Sequence, residues 1–128
     1  MEETLVVLCD TNIFIEVYKQ NSVVKQEVSD IKQTNICTSV VCAAELCFGA
    51  INKKELLAIK KDLSAIQILQ IESPISTLAL QLMEQFVLSN KVGYADFLIA
   101  ATVLHHNLQL YTLNKKDFRF IPGIKFYK

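Results

Sequence analysis

Short, unbroken apolar runs alternate along the chain with stretches of helical periodicity. The first run, residues 5–9, predicts a strand buried on both faces of a parallel sheet, because a half-exposed strand would alternate apolar and polar side chains. Similar runs predict strands at residues 35–38, 66–71, 109–112 and 124–126. Apolar residues three and four apart predict helices at residues 13–18, 22–32, 39–51, 54–65, 75–87 and 94–105. We expect Ser22 to cap the second helix, and the third to be largely buried because it is apolar nearly all round.

This order of elements predicts an α/β fold with a central, mostly parallel sheet of four to five strands and helices on both faces. The chain of 128 residues has the length of one domain, and we expect residues 1–128 to form it. In such sheets, polar sites lie beyond the carboxyl ends of the strands. Asp10 follows the first predicted strand directly, and Asn114 lies just past the fourth, so both are candidates for such a site.

The composition narrows the possible functions. Thirteen Lys and Arg residues balance thirteen Asp and Glu, and 52% of the residues are hydrophobic. This excludes a disordered tail, and it excludes a protein held to nucleic acid by bulk positive charge, which would be strongly basic. The chain opens without a positive leader and has no apolar stretch that would span a bilayer comfortably. We therefore expect a cytoplasmic protein without membrane contact.

The four cysteines are Cys9, Cys37, Cys42 and Cys47. All lie within apolar runs, and none forms a Cys-x-x-Cys pair. Because the two histidines are adjacent on a different segment, the spacing does not fit a zinc site. We expect four buried, reduced thiols that contribute to packing.

Three acidic residues stand among apolar ones. Asp10 ends the first apolar strand, and Asp96 lies in an apolar helix. Glu45 is the only charged residue between positions 33 and 52. A buried, ionised carboxylate is costly, so each must be neutral, paired or bound to a cation, and no lysine or arginine lies on the same stretches. Brought together beyond the strand ends, the three acids would suit Mg²⁺ or Mn²⁺, which prefer carboxylate oxygens.

Each of the three acids also has a purely structural explanation. Asp10, followed by Thr11 and Asn12, is suited to cap the next helix. Asp96 lies at the start of its predicted helix, where the helix dipole favours an acid. Glu45 lies in the middle of a helix, where neither explanation applies, and its alternative is a salt bridge to a lysine from elsewhere in the chain.

Four segments, in this order, resemble the motifs of the PIN domain family. They are DTNIFI at residues 10–15, AELCFGA at 44–50, DFLIAA at 96–101 and YTLNKKDF at 111–118. The resemblance covers almost the whole chain, and it is greatest to the small ribonuclease toxins of VapBC-type toxin–antitoxin pairs. It implies a PIN-like α/β fold.

The resemblance implies a metal-dependent endoribonuclease. Asp10, Glu45 and Asp96 would hold Mg²⁺ or Mn²⁺, and a metal-activated water would hydrolyse RNA phosphodiesters to leave 5′-phosphate and 3′-hydroxyl ends. Asn114 stands where many relatives have a fourth acid, and as an amide it adds no charge. The residues that would support the site are Thr11, Asn12, Thr112 and Asp117. Capping of the turn that follows is the alternative role for Asp117.

RNA needs cations near the cleft, and the candidates for this contact are Lys53, Lys54, Lys115, Lys116 and Arg119. A solvated helix face is the alternative role for Lys53 and Lys54. The balanced charge predicts weak general affinity for RNA. The resemblance implies that the substrate is transfer, ribosomal or messenger RNA. It also implies a cognate antitoxin bound in a groove of the early helices, and a homodimer.

Two other functions compete with the nuclease. A catalytically weak or inactive PIN-like module would only bind RNA or a partner protein, and Asn114 in place of an acid is the feature that favours it. A phosphatase with Asp10 as its nucleophile would need a second acid at position 12, where this chain has Asn12. The presence of all three acids favours the nuclease.

Overall fold

The computed structural model describes residues 6–128, so Leu5, in the first predicted strand, lies outside the described part. Within it, the strands are Val7–Cys9 (β1), Ile36–Ser39 (β2), Gln67–Leu69 (β3), Gln109–Tyr111 (β4) and Lys125–Phe126 (β5). The helices are Thr11–Tyr18 (α1), Ser22–Ile31 (α2), Val40–Phe48 (α3), Lys53–Leu63 (α4), Ser73–Phe86 (α5) and Tyr94–His106 (α6). None of these helices is both long and apolar enough to cross a membrane. Every predicted element is present, with its ends displaced by a few residues at most.

All neighbouring strands run parallel, in the order β3-β2-β1-β4-β5. This confirms the predicted α/β class and the parallel sheet. From β1 the chain builds outward through β2 and β3 on one side, and it then returns to add β4 and β5 on the other. The carboxyl ends of β1 and β4 therefore flank the point where the direction of strand addition reverses. Open α/β sheets bind their ligands at this point.

Successive side chains of β1 lie on opposite faces of the sheet, and each face has its own core. Leu8 packs on one face with side chains of α5 and α6, among them Phe97. Val7 packs on the other face with Ile13 of α1 and Val24 of α2. The helices therefore cover both faces, as predicted. β1 is the central strand, so Asp10, which directly follows it, has a neighbouring strand on each side.

Asn21, rather than the predicted Ser22, caps α2. Its side-chain Oδ1 accepts hydrogen bonds from the backbone N–H groups of Val23 and Val24, at 3.1 and 3.2 Å. The prediction was wrong by one residue because Asn and Ser cap helices about equally well, and the chain has them side by side.

One side of α3 is exposed, which contradicts the predicted burial of residues 39–51. Leu46 and Cys42 face the core, but Phe48 is 95% exposed, and Ile51 just beyond the helix is 82% exposed. Cys47 is also exposed, so the prediction of four buried thiols is correct only for the other three cysteines. The pattern misled because an apolar side chain becomes buried only where another element packs opposite it, and composition does not show where that happens.

Leu82 and Leu80 offer a matched test of the core within α5. Leu82 is 7% exposed and belongs to the core that includes Leu8, whereas Leu80 is 59% exposed. Leu82→Ala should lower the free energy of unfolding by about 3 kcal/mol, because it leaves a cavity. Leu80→Ala should lower it by less than about 1 kcal/mol. Urea unfolding followed by circular dichroism measures both values, and equal losses would contradict this packing.

Candidate functional site

Asp10 ends the central strand β1 and begins α1, and it is only 7% exposed. Its Oδ1 accepts a hydrogen bond of 2.8 Å from the backbone N–H of Thr11, so Asp10 does cap the helix. Its Oδ2 accepts a hydrogen bond of 2.8 Å from the Oγ1 of Thr112, just past β4. The helix cap therefore accounts for one carboxylate oxygen, while the other is held by the neighbouring strand.

Thr112 connects the ends of β1 and β4. Besides donating to Asp10, its Oγ1 accepts hydrogen bonds from the side-chain amide of Asn12 at 3.3 Å and from the backbone N–H of Asn114 at 3.1 Å. The Oδ1 of Asn12 accepts from the backbone N–H of Leu113 at 3.2 Å. Asn12 and Thr112 thus fix the loop after β4 against the start of α1.

Glu45 on α3 reaches the same place from β2, the other neighbour of β1. The hydroxyl of Thr11 donates a hydrogen bond of 2.9 Å to its Oε1. Ligand-type atoms of Asp10, Cys42 and Glu45 all lie within 4.8 Å of one another. Glu45 is exposed and, within residues 6–128, forms no ion pair. The alternative of a salt bridge to a distant lysine therefore does not hold there.

Asp96 lies half-buried in the first turn of α6. Burial, followed by the charges of Asp10, Asp117 and Glu45, raises its pKa to about 6, and the backbone of Gly93 opposes part of this rise. Asp96 supplies no atom to the tight group around Asp10, but its charge interacts with that group. A place in the first turn alone would favour the carboxylate and would not raise its pKa.

The site carries concentrated negative charge without a cationic side chain to balance it. Burial, and to a smaller extent the charge of Glu45, raises the pKa of Asp10, while the hydrogen bonds from Thr112 and Thr11 lower it. No lysine, arginine or histidine pairs with Asp10, Glu45 or Asp96 in the described part of the chain. A divalent cation removes such repulsion, and carboxylates are ligands that suit it. The residues present therefore fit a metal site.

Sequence reasoning missed one participant. The thiol of Cys42 donates a hydrogen bond of 3.8 Å to Oδ1 of Asp10, although we had expected this residue to serve packing alone. Cys42 is fully buried and lies on the core-facing side of α3. The available signal was its position three residues before Glu45, which places both residues on neighbouring parts of one helix surface.

Asp117 belongs to this cluster electrostatically. It ends the short 3-10 turn Lys115–Asp117 and is half-buried. Its charge contributes more than that of Glu45 to the raised pKa of Asp96. Asn114 begins the same turn and is exposed, and its side chain makes no capping hydrogen bond.

The five candidate RNA-contact cations separate into two groups. Lys53 and Lys54 are exposed at the start of α4, as expected of a solvated helix face. Lys115, Lys116 and Arg119 line a cavity of about 430 Å³ whose wall also includes Thr112. The structure therefore brings the second group, and not the first, to the wall of a cavity that includes Thr112, the residue that donates to Asp10.

Comparisons with known proteins identify the family and agree with the fold. The family model described as the PIN domain matches residues 7–123. A chain in the structure of a toxin–antitoxin complex from Klebsiella pneumoniae is 29% identical, with 92% of this chain and 94% of that one covered and a TM-score of 0.78. VapBC2 from Rickettsia felis, bound to a DNA fragment from its promoter, has a chain of the same fold, with 22% identity, coverage of 96% and 98%, and a TM-score of 0.84. So has VapBC-1 from nontypeable Haemophilus influenzae, with 24% identity, coverage of 97% and 98%, and a TM-score of 0.81. No curated protein matches the sequence.

Asp96→Asn should stabilise the metal-free protein at pH 7. It removes a charge that burial and neighbouring acids disfavour, and we expect a gain of about 1 kcal/mol, reduced from the full effect because a half-exposed charge is screened. The gain over wild type should be complete above pH 6 and should disappear towards pH 4, because wild-type Asp96 is protonated in the folded state below its raised pKa. Urea unfolding of both proteins in EDTA across this range measures the difference. A gain that did not change with pH would contradict the electrostatic origin.

Proposed function

The chain belongs to the PIN domain family, and we propose that it is a metal-dependent endoribonuclease that acts as the toxin of a toxin–antitoxin pair. The observation that carries this proposal is the group of acids at the carboxyl ends of β1 and its neighbours, which has no cationic partner among the described residues. These acids repel one another, and a protein that only binds a partner would gain nothing from that repulsion.

Asp10, Glu45 and Asp96 are the residues that would hold Mg²⁺ or Mn²⁺. When bound there, the cation would supply positive charge to the phosphate of the substrate and would make a water molecule more acidic. Oxygen donors from these side chains suit these two ions better than zinc, which favours sulfur and nitrogen.

The neighbouring side chains position these acids. Thr112 and the backbone of Thr11 each donate to one oxygen of Asp10, which fixes the plane of its carboxylate. The hydroxyl of Thr11 orients Glu45. Cys42 donates to Asp10 from the core and completes this support. Asn12 accepts from the backbone of Leu113 and so holds the loop after β4, the segment that leads to Asn114 and Asp117.

The proposed reaction is hydrolysis of an RNA phosphodiester by water, with 5′-phosphate and 3′-hydroxyl products. Water attacks phosphorus, the bond from phosphorus to the 3′ oxygen breaks, and that oxygen leaves with a proton.

Cleavage of a mixture of purified transfer, ribosomal and messenger RNA tests this function. Wild type should cut only with Mg²⁺ or Mn²⁺, should stop in EDTA, and should leave 5′-phosphate ends. Asp10→Asn and Asp96→Asn should each lower the rate by about a hundredfold or more, because each removes a ligand charge. The melting temperature of the wild type, and not that of the variants, should rise with metal.

Two outcomes would contradict the proposal in different ways. Equal cutting by the wild type and both variants would identify a contaminating nuclease. No cutting, together with no rise in melting temperature on addition of metal, would leave a PIN-like module that binds RNA or a protein without catalysis.

A groove beside the acid site supports an antitoxin partner. It has a volume of about 540 Å³ and lies between α1, α3 and α4. Apolar side chains such as Ile15 and Ile59 line it together with three acids and one lysine: Glu45, Glu55, Asp62 and Lys19. A segment with apolar side chains and a basic group that reaches Glu45 would fit this lining. Formation of a homodimer stays a prediction.

Ala58→Arg tests the groove, because it adds bulk and positive charge to the wall. Ser76→Arg is the matched control, since it adds the same side chain to an exposed position on α5. The probe is the protein encoded by the open reading frame next to this one, measured by isothermal titration calorimetry. Ala58→Arg should weaken binding by about tenfold or more, and Ser76→Arg should leave it unchanged. Equal affinities of the two variants would exclude the groove as the docking site.

A further inference from the structure

We infer that the cavity beside the acid site binds one unpaired nucleotide of the RNA, next to the phosphodiester that is cleaved. This inference rests on the proposed function and deepens it, since it identifies where the RNA strand continues beside the cleaved bond. The cavity is called the basic recess below, and it is formed by the loop after β4, the 3-10 turn and the end of the chain.

The basic recess has a positive rim. Lys115, Lys116, Arg119 and Lys128 all line it, and among the residues that the structure describes Glu27 is the only acid that does so. The protein as a whole carries no net charge. A local excess of cations in a balanced chain means that charges of opposite sign have been separated, with the acids collected at the metal site and these cations next to it. Such a rim suits the phosphates of an RNA strand.

The cations differ in how they are held. Lys115 donates to the backbone carbonyl of Lys128 and lies 5.7 Å from the ring centre of Phe126, so its position is fixed. Lys116 and Arg119 are exposed, and within residues 6–128 neither forms an ion pair or donates a side-chain hydrogen bond. Both are therefore available for phosphate, and Arg119 is able to contact it with two parallel donors.

The interior of the basic recess is aromatic. Tyr111 and Tyr127 both line it, with ring centres 5.3 Å apart. The hydroxyl of Tyr111 donates to Glu27, which fixes this ring and partners the single acid. Tyr127 is half-buried, so it offers apolar surface to an incoming base. Cations around aromatic side chains form the usual binding site for a single-stranded nucleotide, whose base stacks while its phosphate is neutralised.

The basic recess lies beside the acid site, because its lining includes Thr112, whose hydroxyl donates a hydrogen bond of 2.8 Å to Asp10. One residue thus forms the boundary between the cation rim and the carboxylate cluster. A nucleotide in the recess would lie next to the phosphodiester at the acids. The volume of about 430 Å³ lies at the lower end of the range for small-ligand sites, which suits one nucleotide. A base paired in a duplex cannot enter it, so the recess selects unpaired RNA.

Binding of a short, unstructured oligoribonucleotide tests the inference, with a hairpin of the same composition as the comparison. Fluorescence anisotropy is measured at several salt concentrations in the Asp96→Asn background, which prevents cleavage during the titration. Lys116→Ala combined with Arg119→Ala should weaken binding by about tenfold and lower the salt slope by about 1.4, because two phosphate contacts are lost. The matched control combines Lys60→Ala with Lys61→Ala, which removes the same charge from the exposed last turn of α4.

A second variant separates stacking from charge. Tyr127→Leu should weaken binding of the single strand with little change in the salt slope, because it removes an aromatic surface and no cation. The hairpin should bind weakly to every variant and should respond little to this substitution. The inference is wrong if the double variant of Lys116 and Arg119 (the recess pair) binds RNA as tightly as the control variant of Lys60 and Lys61. It is also wrong if the hairpin binds as tightly as the single strand.

The result also separates this inference from the proposed function. Metal-dependent cleavage by the wild type, with KM unchanged in the recess pair, would overturn the recess and leave the nuclease standing. Absence of cleavage, with single-strand binding that is lost in the recess pair, would overturn the nuclease and support the recess. No binding of the single strand by any protein would overturn the recess as an RNA site.

Discussion

The structure depends on one constraint, the placement of a carboxylate at the buried end of the central strand. Within the described residues Asp10 has no cationic partner, so hydroxyl, amide and thiol donors must hold it. Those donors come from α1, from the segment after β4 and from α3. The first turn of α1, the loop after β4 and the inner side of α3 are therefore all fixed around a single side chain. Loss of any one of these elements would remove one of the donors that support the buried charge.

Separation of charge explains how a protein without net charge acquires two electrostatically distinct regions. The acids converge at the carboxyl ends of β1 and the strands beside it, while the cations of the loop after β4 collect in the basic recess. Thr112 stands between the two regions and contacts Asp10. A count of charges over the whole chain indicated correctly that bulk attraction to RNA is absent. It carried no information about local fields, which depend on where the fold brings distant residues together.

The sequence was sufficient for the fold class because strands and helices leave local patterns, and similar patterns indicated the candidate acids. Unbroken apolar runs mark parallel strands, and acids such as Asp10 are conspicuous within them. Contacts between distant segments leave no such pattern. The hydrogen bond from Cys42 to Asp10 joins two elements and was missed. The exposure of Phe48 was missed for the converse reason, since it depends on what does not pack opposite α3. Asp117 was predicted as a supporting residue, but the effect of its charge on the pKa of Asp96 depends on the folded arrangement and could not be predicted from sequence.

The unequal burial of the four cysteines has a practical consequence. Burial raises the pKa of Cys9 and of Cys42 to about 12 and that of Cys37 to about 11, so these thiols are poor nucleophiles at neutral pH. Cys47 is exposed on α3, two positions after Glu45. A maleimide dye or a nitroxide spin label would thus attach at one defined position of the wild-type chain. The molecule carries a natural attachment point for a spectroscopic reporter beside its acid site, without any engineered residue.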